Sequence, residues 1–310
     1  MEHPIDTPCP QPEMKDHHPI HPHPSLKLSV VIPCYNAADT LAEQLDAVCL
    51  QEWSQPWEVL LVDNRSTDAS RSIAEGYMER LPNLGIIDAS AEQGQPFALN
   101  TGIRAANGEA VALCDADDVI APGWVAAMGD ALATHAFVAC RIDTAMLNPE
   151  WLRGHDQEKG LQKIWYPPWL PHAGGGTLGF RKELFERVGD FDPALPYLHD
   201  TDFCFRAQAL GYSLHFVPDA VLHLRKRGGL GLHYRQACNF AEYNAILARR
   251  YWGVHDSEKP FRREFAHEWF RLLCLLPSLR RESARYWWVW RLGRQVGRLR
   301  GIMHHDGVPV

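Results

Sequence analysis

Apolar and polar positions come in alternating blocks over the first 120 residues. Leu28-Ser-Val-Val-Ile-Pro33 is apolar but for one serine, and the polar loop Pro33-Cys-Tyr-Asn36 follows it. A short apolar run bounded by such a break reads as a strand buried on both faces. Trp57–Val62, the weaker Leu84–Asp88 and Val111–Cys114 repeat the pattern. Between them the period changes to that of a helix. Leu41, Leu45, Val48, Cys49 and Trp53 make one stripe, and Thr40-Leu-Ala-Glu43 has the spacing of a capping box. A second helix follows the loop Asp63-Asn-Arg-Ser-Thr-Asp68. A third lies within Gly94–Asn107, closed by Asn107-Gly108. Strand, loop and helix thus alternate three times. That alternation predicts an α/β fold, a Rossmann-like, mostly parallel central sheet with helices on both faces, whose first half binds a nucleotide. The fourth strand stops abruptly at Asp115, Asp117 and Asp118.

Beyond that point the blocks are less regular. Trp124–His135 predicts a helix and Phe137–Ile142 a strand. Residues 143–178 are irregular and carry Trp151, Trp165, Tyr166, Trp169 and the run Gly174-Gly-Gly176. Aromatics beside a glycine run either form a sugar-stacking wall with close backbone approach or simply pack. Phe180–Val188 predicts a helix and Gly189-Asp-Phe-Asp192 a turn. His199-Asp-Thr-Asp202 opens a helix, Phe203–Leu210, closed by Gly211. Carboxylates at a helix N-terminus are stabilised by its dipole, so capping alone accounts for them. Tyr212–Val217 and Val221–Leu224 predict two more strands. The second runs into Arg225-Lys-Arg-Gly-Gly229, a basic glycine-rich loop of a kind that clamps diphosphates. Tyr234–Tyr251 predicts a helix.

Composition divides the 310 residues into three parts. Residues 1–25 are a His/Pro-rich tail with too little apolar surface to order itself. Residues 26–252 form the main domain, with halves at 26–118 and 119–252. Residues 253–310 form a basic, aromatic helical extension. The net charge of −7 excludes wholesale nucleic-acid binding. Eight cysteines without a CxxC pair exclude a zinc site and a disulfide framework and suit a reducing cytoplasm. No run approaches the ~18 apolar residues of a membrane span, and no signal peptide is visible.

The acidic break after the fourth strand carries the chemistry. Carboxylates crowded at a strand end repel one another unless they share a cation. Hard oxygen ligands suit Mg²⁺ or Mn²⁺, with substrate phosphate oxygens completing the shell. The alternative is a solvated acidic turn. No GxGxxG or GxxxxGK[ST] occurs, which argues against dinucleotide and P-loop binding.

Four stretches then stand in one order: Ser29-Val-Val-Ile-Pro-Cys-Tyr-Asn36; Val62-Asp-Asn-Arg-Ser-Thr-Asp-Ala-Ser70; Cys114-Asp-Ala-Asp-Asp118; and Gly189-Asp-Phe-Asp192 with His199-Asp-Thr-Asp-Phe-Cys-Phe-Arg206. Together they resemble the family 2 glycosyltransferases of the GT-A fold, over roughly residues 26–250. The resemblance implies inverting, metal-dependent transfer from a nucleotide-diphosphate sugar to a glycan or lipid-linked acceptor, in cell-surface or exopolysaccharide synthesis. By matching position it places Pro33, Tyr35, Asn36, Asp63 and Asn64 at the nucleoside and Asp115 at the ribose. Asp117 of the Asp-x-Asp motif and His223 would hold the metal. Arg225 and Arg227 would close on the diphosphate. Asp200 would be the general base. Trp165, Trp169, Gly175, Gly176, His199 and Asp202 would line the acceptor. Three positions depart from the family pattern: Asn64 and His199 each replace a carboxylate, and Leu99 replaces an arginine.

Residues 261–303 hold ten arginines and three glutamates among Trp, Phe and Leu. Such a segment either lies on the inner face of a membrane or packs on the main domain. Two other functions fit parts of the pattern, a sugar-phosphate nucleotidylyltransferase and a non-catalytic nucleotide- or carbohydrate-binding scaffold.

Overall fold

The computed structural model describes residues 26–153, 161–163, 170–226, 228–252 and 258–304. The first half is built as its pattern predicts. β1 (Leu28–Cys34), α1 (Leu41–Cys49), β2 (Trp57–Asp63), α2 (Ser70–Tyr77), β3 (Leu84–Asp88), α3 (Gln95–Ala105) and β4 (Ala110–Leu113) follow in order. β1, β2, β3 and β4 pair parallel. Alternate residues of one strand serve opposite cores. Val30 and Ile32 face the helices α1 and α2 through Leu41, Leu45 and Ala74, while Val31 faces α3 through Ala98, Leu99 and Ile103. Apolar on both faces, these strands show no alternation in sequence.

The second half adds β5 (Val119–Ile120), α4 (Trp124–Thr134), β6 (Phe137–Asp143), the short pair β7 (Gln162–Lys163) and β8 (Pro171–His172), β9 (Leu178–Arg181), α5 (Lys182–Val188), α6 (His199–Ala209) and β10 (His215–His223). The main sheet has the order β3-β2-β1-β4-β9-β6-β10-β5. β9 runs antiparallel to both of its neighbours, and β5 antiparallel to β10.

Three local expectations are corrected here. Phe180–Val188 is not one helix, because Leu178-Gly-Phe-Arg181 inserts as a strand first. Phe180 drops into a cluster with Phe185, Phe191 and Phe203, while Gly179 lets Met128 and Val138 close on the other face. The two strands expected at Tyr212–Val217 and Val221–Leu224 are one, broken in register between Val217 and Val221. Thr40 does not close a capping box. Its hydroxyl donates to the carbonyls of Ala37 and Ala116 instead, at 3.4 and 3.3 Å.

Among the described residues three helices follow: α7 (Leu230–Trp252), α8 (Glu258–Cys274) and α9 (Glu282–His304). Gly293, Gly297 and Gly301 recur every fourth residue on α9 and lie against α7, whose Ala237, Ala241 and Ala245 recur likewise. A Cβ on Gly297 would stand 2.1 Å from the Cys238 carbonyl oxygen. Small residues on both helices thus let the backbones touch. Tyr286 stacks on His233 at 3.4 Å between centroids and meets Trp151 edge-on at 5.6 Å. Much of the aromatic content is therefore spent on packing. No described helix is long and apolar enough to cross a membrane. The seven described cysteines are all free.

Candidate functional site

The loops after β1, β2 and β4 meet at the carboxyl edge of the sheet, where open α/β sheets bind ligands. Strand register sets Pro33 opposite Val62 and Cys34 opposite Asp63. Tyr35 projects into solvent, half of its surface exposed. Asn36 adopts a left-handed backbone, φ 48°, a region that asparagine tolerates. Its side-chain oxygen accepts the Thr67 N–H at 2.7 Å, and its own N–H donates to Ser66 Oγ at 3.1 Å. Asp63 is buried and accepts the Ser66 N–H at 3.0 Å. Asn64 does not face a nucleotide as expected. It is buried, donates to the carbonyls of Ala89 and Glu92 at 2.6 Å each, and accepts the Gly94 N–H at 2.8 Å. With its amide spent on backbone, Asn64 fastens the β3–α3 loop beside the site.

Asp115, Asp117 and Asp118 can each bring an oxygen within 4.8 Å of the others, the only such group among the described residues. Gln95 donates to Asp115 Oδ1 at 3.0 Å, and Gln44 donates to the Asp115 carbonyl at 3.1 Å. Asp118 is buried and accepts the Arg225 N–H at 2.8 Å. Burial, then the charges of Asp115 and Asp117, hold the Asp118 carboxyl well above the usual range. Crowding of this kind is relieved by a cation. The donor set, all hard oxygen, fits Mg²⁺ or Mn²⁺.

His223 ends β10 and lies opposite Val119 in register, next to the acidic loop. Its Nδ1 is 2.7 Å from Asp143 Oδ2. A carboxylate on one ring nitrogen fixes the tautomer and orients the other nitrogen for a metal. His223 stands outside the 4.8 Å group. Arg225 does not reach out as a clamp. Its Nε donates to the Asp117 carbonyl at 2.9 Å and its Nη2 to Glu43 at 2.5 Å, tying the acidic loop to α1. Arg227, Trp165 and Trp169 lie outside the described residues.

The glycine run joins the two sides of the site. Gly175–Thr177 forms a 3₁₀ turn between Asp115 and Asp200. The Gly175 N–H donates to Asp200 Oδ2 at 2.8 Å, and Asp200 Oδ1 accepts the Thr201 N–H at 2.7 Å. A Cβ on Gly176 would stand 2.7 Å from Asp115 Oδ2. So Gly175 bridges to Asp200 through its backbone N–H, and Gly176 can lie against Asp115 because it has no side chain. Two acceptor-side expectations change. His199 is 4 % exposed, lies edge-on to Phe191 at 5.7 Å, and neither ring nitrogen has a hydrogen-bond partner. Burial lowers its pKa against the opposing charge of Asp200, and His172 behaves the same way. Asp202 is fully buried. It is held by Arg206 at 2.7 Å, Arg250 at 2.6 Å and Tyr251 at 2.7 Å, so it braces α6 against α7 instead of meeting an acceptor.

Sequence reasoning missed the site contacts of Glu43, Gln44, Gln95 and Asp143. Gln44 left a signal, since it is a polar residue on the apolar stripe of α1 and is fully buried. Asp143 left none, being 80 residues from His223.

The family model described as "Glycosyl transferase family 2" matches residues 29–189. The chain is 26% identical over 274 residues to the uncharacterized glycosyltransferase YwdF of Bacillus subtilis (strain 168), covering 86% of this chain and 96% of that one. It is 36% identical over 125 residues to the uncharacterized glycosyltransferase YibD of Escherichia coli (strain K12), covering 40% of this chain but only 34% of that relative. Among solved structures, the mannosyltransferase PcManGT from Pyrobaculum calidifontis, in complex with GDP-Man and Mn²⁺, superposes with a TM-score of 0.62 at 22% identity, over 94% of this chain and 92% of that one. S. aureus TarS 1–349 in complex with UDP-GlcNAc gives 0.53 at 20% identity, over 71% and 66%. The fold is of the GT-A type.

Proposed function

The chain belongs to glycosyl transferase family 2, and on that premise we propose that it transfers a sugar from a nucleotide-diphosphate sugar to an acceptor hydroxyl, with inversion. Membership also decides against the nucleotidylyltransferase reading. The observation that carries the proposal is the turn Gly175–Thr177, which sets Asp115 on one side and Asp200 on the other. A direct displacement needs these two ends in one place.

The acceptor oxygen attacks the anomeric carbon from the face opposite the diphosphate. The new carbon–oxygen bond forms as the carbon–oxygen bond to phosphate breaks. Asp200 takes the acceptor proton as that oxygen gives its electron pair to the anomeric carbon, and the negative charge leaves with the diphosphate. The Gly175 N–H fixes one carboxylate oxygen and the Thr201 N–H the other, which aims the group. Asp115 lies at the donor end, and Asp117 with His223 would hold a divalent cation. When bound, that cation stabilises charge on the leaving diphosphate. Asn36, Asp63 and Asn64 shape the nucleoside loops, with the exposed Tyr35 and the half-buried Pro33 beside them. Arg225 holds the acidic loop in place, and Arg227 in the same basic loop is proposed to meet the diphosphate.

We place the enzyme in the cytoplasm, in glycan synthesis, with peripheral contact to the inner leaflet. Phe270, Leu273 and Leu276 at the α8–α9 hairpin are exposed, and Arg271 stands beside them. Apolar side chains flanked by arginine suit an anionic interface.

A thermal-shift screen of UDP, GDP, dTDP and CDP with and without Mn²⁺, joined to assays of nucleotide-sugar hydrolysis, tests the reading. One nucleotide should raise the melting temperature further with Mn²⁺ present. A chain that responds to none of them and hydrolyses no donor would be a scaffold.

A further inference from the structure

One cavity lies away from the sheet edge. It lies between α8 and α9 and has a volume of about 500 Å³, within the usual range for small-ligand sites. Trp287, Arg291, Arg294 and Arg298 line it from α9. Their spacing of four, three and four residues places them on one helical face. That face adjoins the glycine stripe which holds α9 to α7, so close packing on one side presents the arginines on the next.

Among the described residues the lining holds the guanidinium groups of Arg291, Arg294 and Arg298 and the carboxylate of Glu268 on α8, which pairs with Arg291 at 2.9 Å. Burial lowers the Arg294 pKa, and the nearby charge of Arg291 lowers it further against Glu268. Planar guanidinium groups on one face match phosphate oxygens in pairs. Trp287 carries Lys226 over its ring at 5.9 Å. Lys226 follows Arg225, so the cavity rim touches the basic loop of the catalytic edge.

We propose that the cavity between α8 and α9 binds a phosphate-bearing anion, a mono- or diphosphate group carried by a lipid headgroup or by a soluble molecule. The inference goes beyond the donor-site reading and uses none of its residues.

The test uses the full chain in EDTA, without donor, and inorganic pyrophosphate as the calorimetric probe. The parent protein and Arg225→Gln should bind it alike. Arg294→Gln should bind on the order of tenfold more weakly, with Arg294→Lys partly restored. Trp287→Ala, at the half-exposed rim, should also weaken binding, and serves if Arg294→Gln lowers the melting temperature. Absence of binding, or binding indifferent to both Arg294 and Trp287, overturns the site. Sedimentation with phosphatidylcholine vesicles, with and without phosphatidic acid, separates the sources. Binding to phosphatidic acid that pyrophosphate competes away assigns the site to a lipid headgroup. Pyrophosphate binding without vesicle binding assigns it to a soluble phosphate. Vesicle binding that neither pyrophosphate nor Arg294→Gln reduces, without binding of the free probe, leaves only the apolar hairpin and overturns the site.

Discussion

The catalytic edge of the sheet and the C-terminal helix pair use glycine in the same way and to different ends. At the edge, Gly176 lets a turn press on Asp115, and the outcome is a gathering of carboxylates that burial alone would disfavour. In the helix pair, Gly297 lets α9 press on the Cys238 carbonyl, and the outcome is adhesion. The first glycine stabilises little and positions chemistry. The second positions no chemistry and fixes a helix. The same contrast recurs within one turn of α6. Asp200 is held by two backbone N–H groups and keeps its place beside the turn, while Asp202 is buried among Arg206, Arg250 and Tyr251. Two carboxylates of one motif thus divide between the proposed proton transfer and the scaffold.

The largest effect should come from Asp200→Asn. The amide keeps the shape but cannot take a proton, so turnover should fall by about 10²–10⁴. Nucleotide-dependent thermal shift and the melting temperature should stay as in the parent. Turnover within a few-fold of the parent would remove Asp200 from the proton-accepting role.

Asp202→Ala should do the reverse. Removing one partner of a buried ion pair leaves Arg250 and Arg206 uncompensated, at about 3–5 kcal/mol. Urea unfolding should show that loss. Residual turnover per folded molecule should exceed that of Asp200→Asn by orders of magnitude. If the two variants lost activity alike with little change in stability, the division of labour on α6 would not stand.

Much of this was legible in sequence, for physical reasons that differ by segment. β1, β2 and β4 are buried on both faces, so each reads as an unbroken apolar run with a polar stop, and the stops meet at the candidate site. β9 was not legible, because Leu178–Arg181 passes into α5 without a break residue. Asp115 and Asp200 could be placed by motif. Asp118 and Asp202 could not be told from them, since a carboxylate's partners, Arg225 and Arg250, lie 107 and 48 residues away. Asn64 stood in a motif slot and proved to be a loop fastener. In the C-terminal segment the four-residue repeat of Gly293, Gly297 and Gly301 was on the page, yet arginine and tryptophan are louder signals and pointed to a membrane. The packing reading holds for the face of α9 against α7, and the membrane reading remains the proposal made on the exposed Phe270, Leu273 and Leu276.

Gly176→Ala and Gly297→Ala separate the two uses of glycine. A methyl group at 176 meets the Asp115 carboxylate, at 2.7 Å, and at 297 meets backbone, at 2.1 Å. Overpacking of this kind costs about 1–3 kcal/mol. At 297 the cost should appear as lost stability, with α9 lifted from α7 and faster amide exchange along both helices, while turnover per folded molecule is kept. At 176 it should appear in turnover, with the melting temperature nearly unchanged. Equal loss of stability in both variants would mean that the turn at 176 is as structural as the helix seam.

The smallest effect tests the seam through pH. His233 is buried in the first turn of α7, stacked between Tyr286 at 3.4 Å and Trp290 at 4.6 Å, with no partner for either ring nitrogen. Burial, then the charge of Lys226, pushes its pKa down to about 4. The positive end of the α7 dipole acts in the same direction. A histidine with a depressed folded pKa is neutral in the folded state and takes up a proton more readily when unfolded. Its contribution is therefore complete above its ordinary value of about 6.5 and is lost as pH falls from there towards 4. Between pH 7 and 5.5 the loss should be about 1 kcal/mol. Burial lowers the pKa of His172 and His199 as well, so their contributions carry the same sign. The informative quantity is the difference from His233→Phe, which keeps the stack and removes the titration. Urea midpoints at the two pH values should converge for the variant by that amount, and identical slopes in parent and variant would show that His233 is reached by water and the seam is looser than its stacking distances indicate.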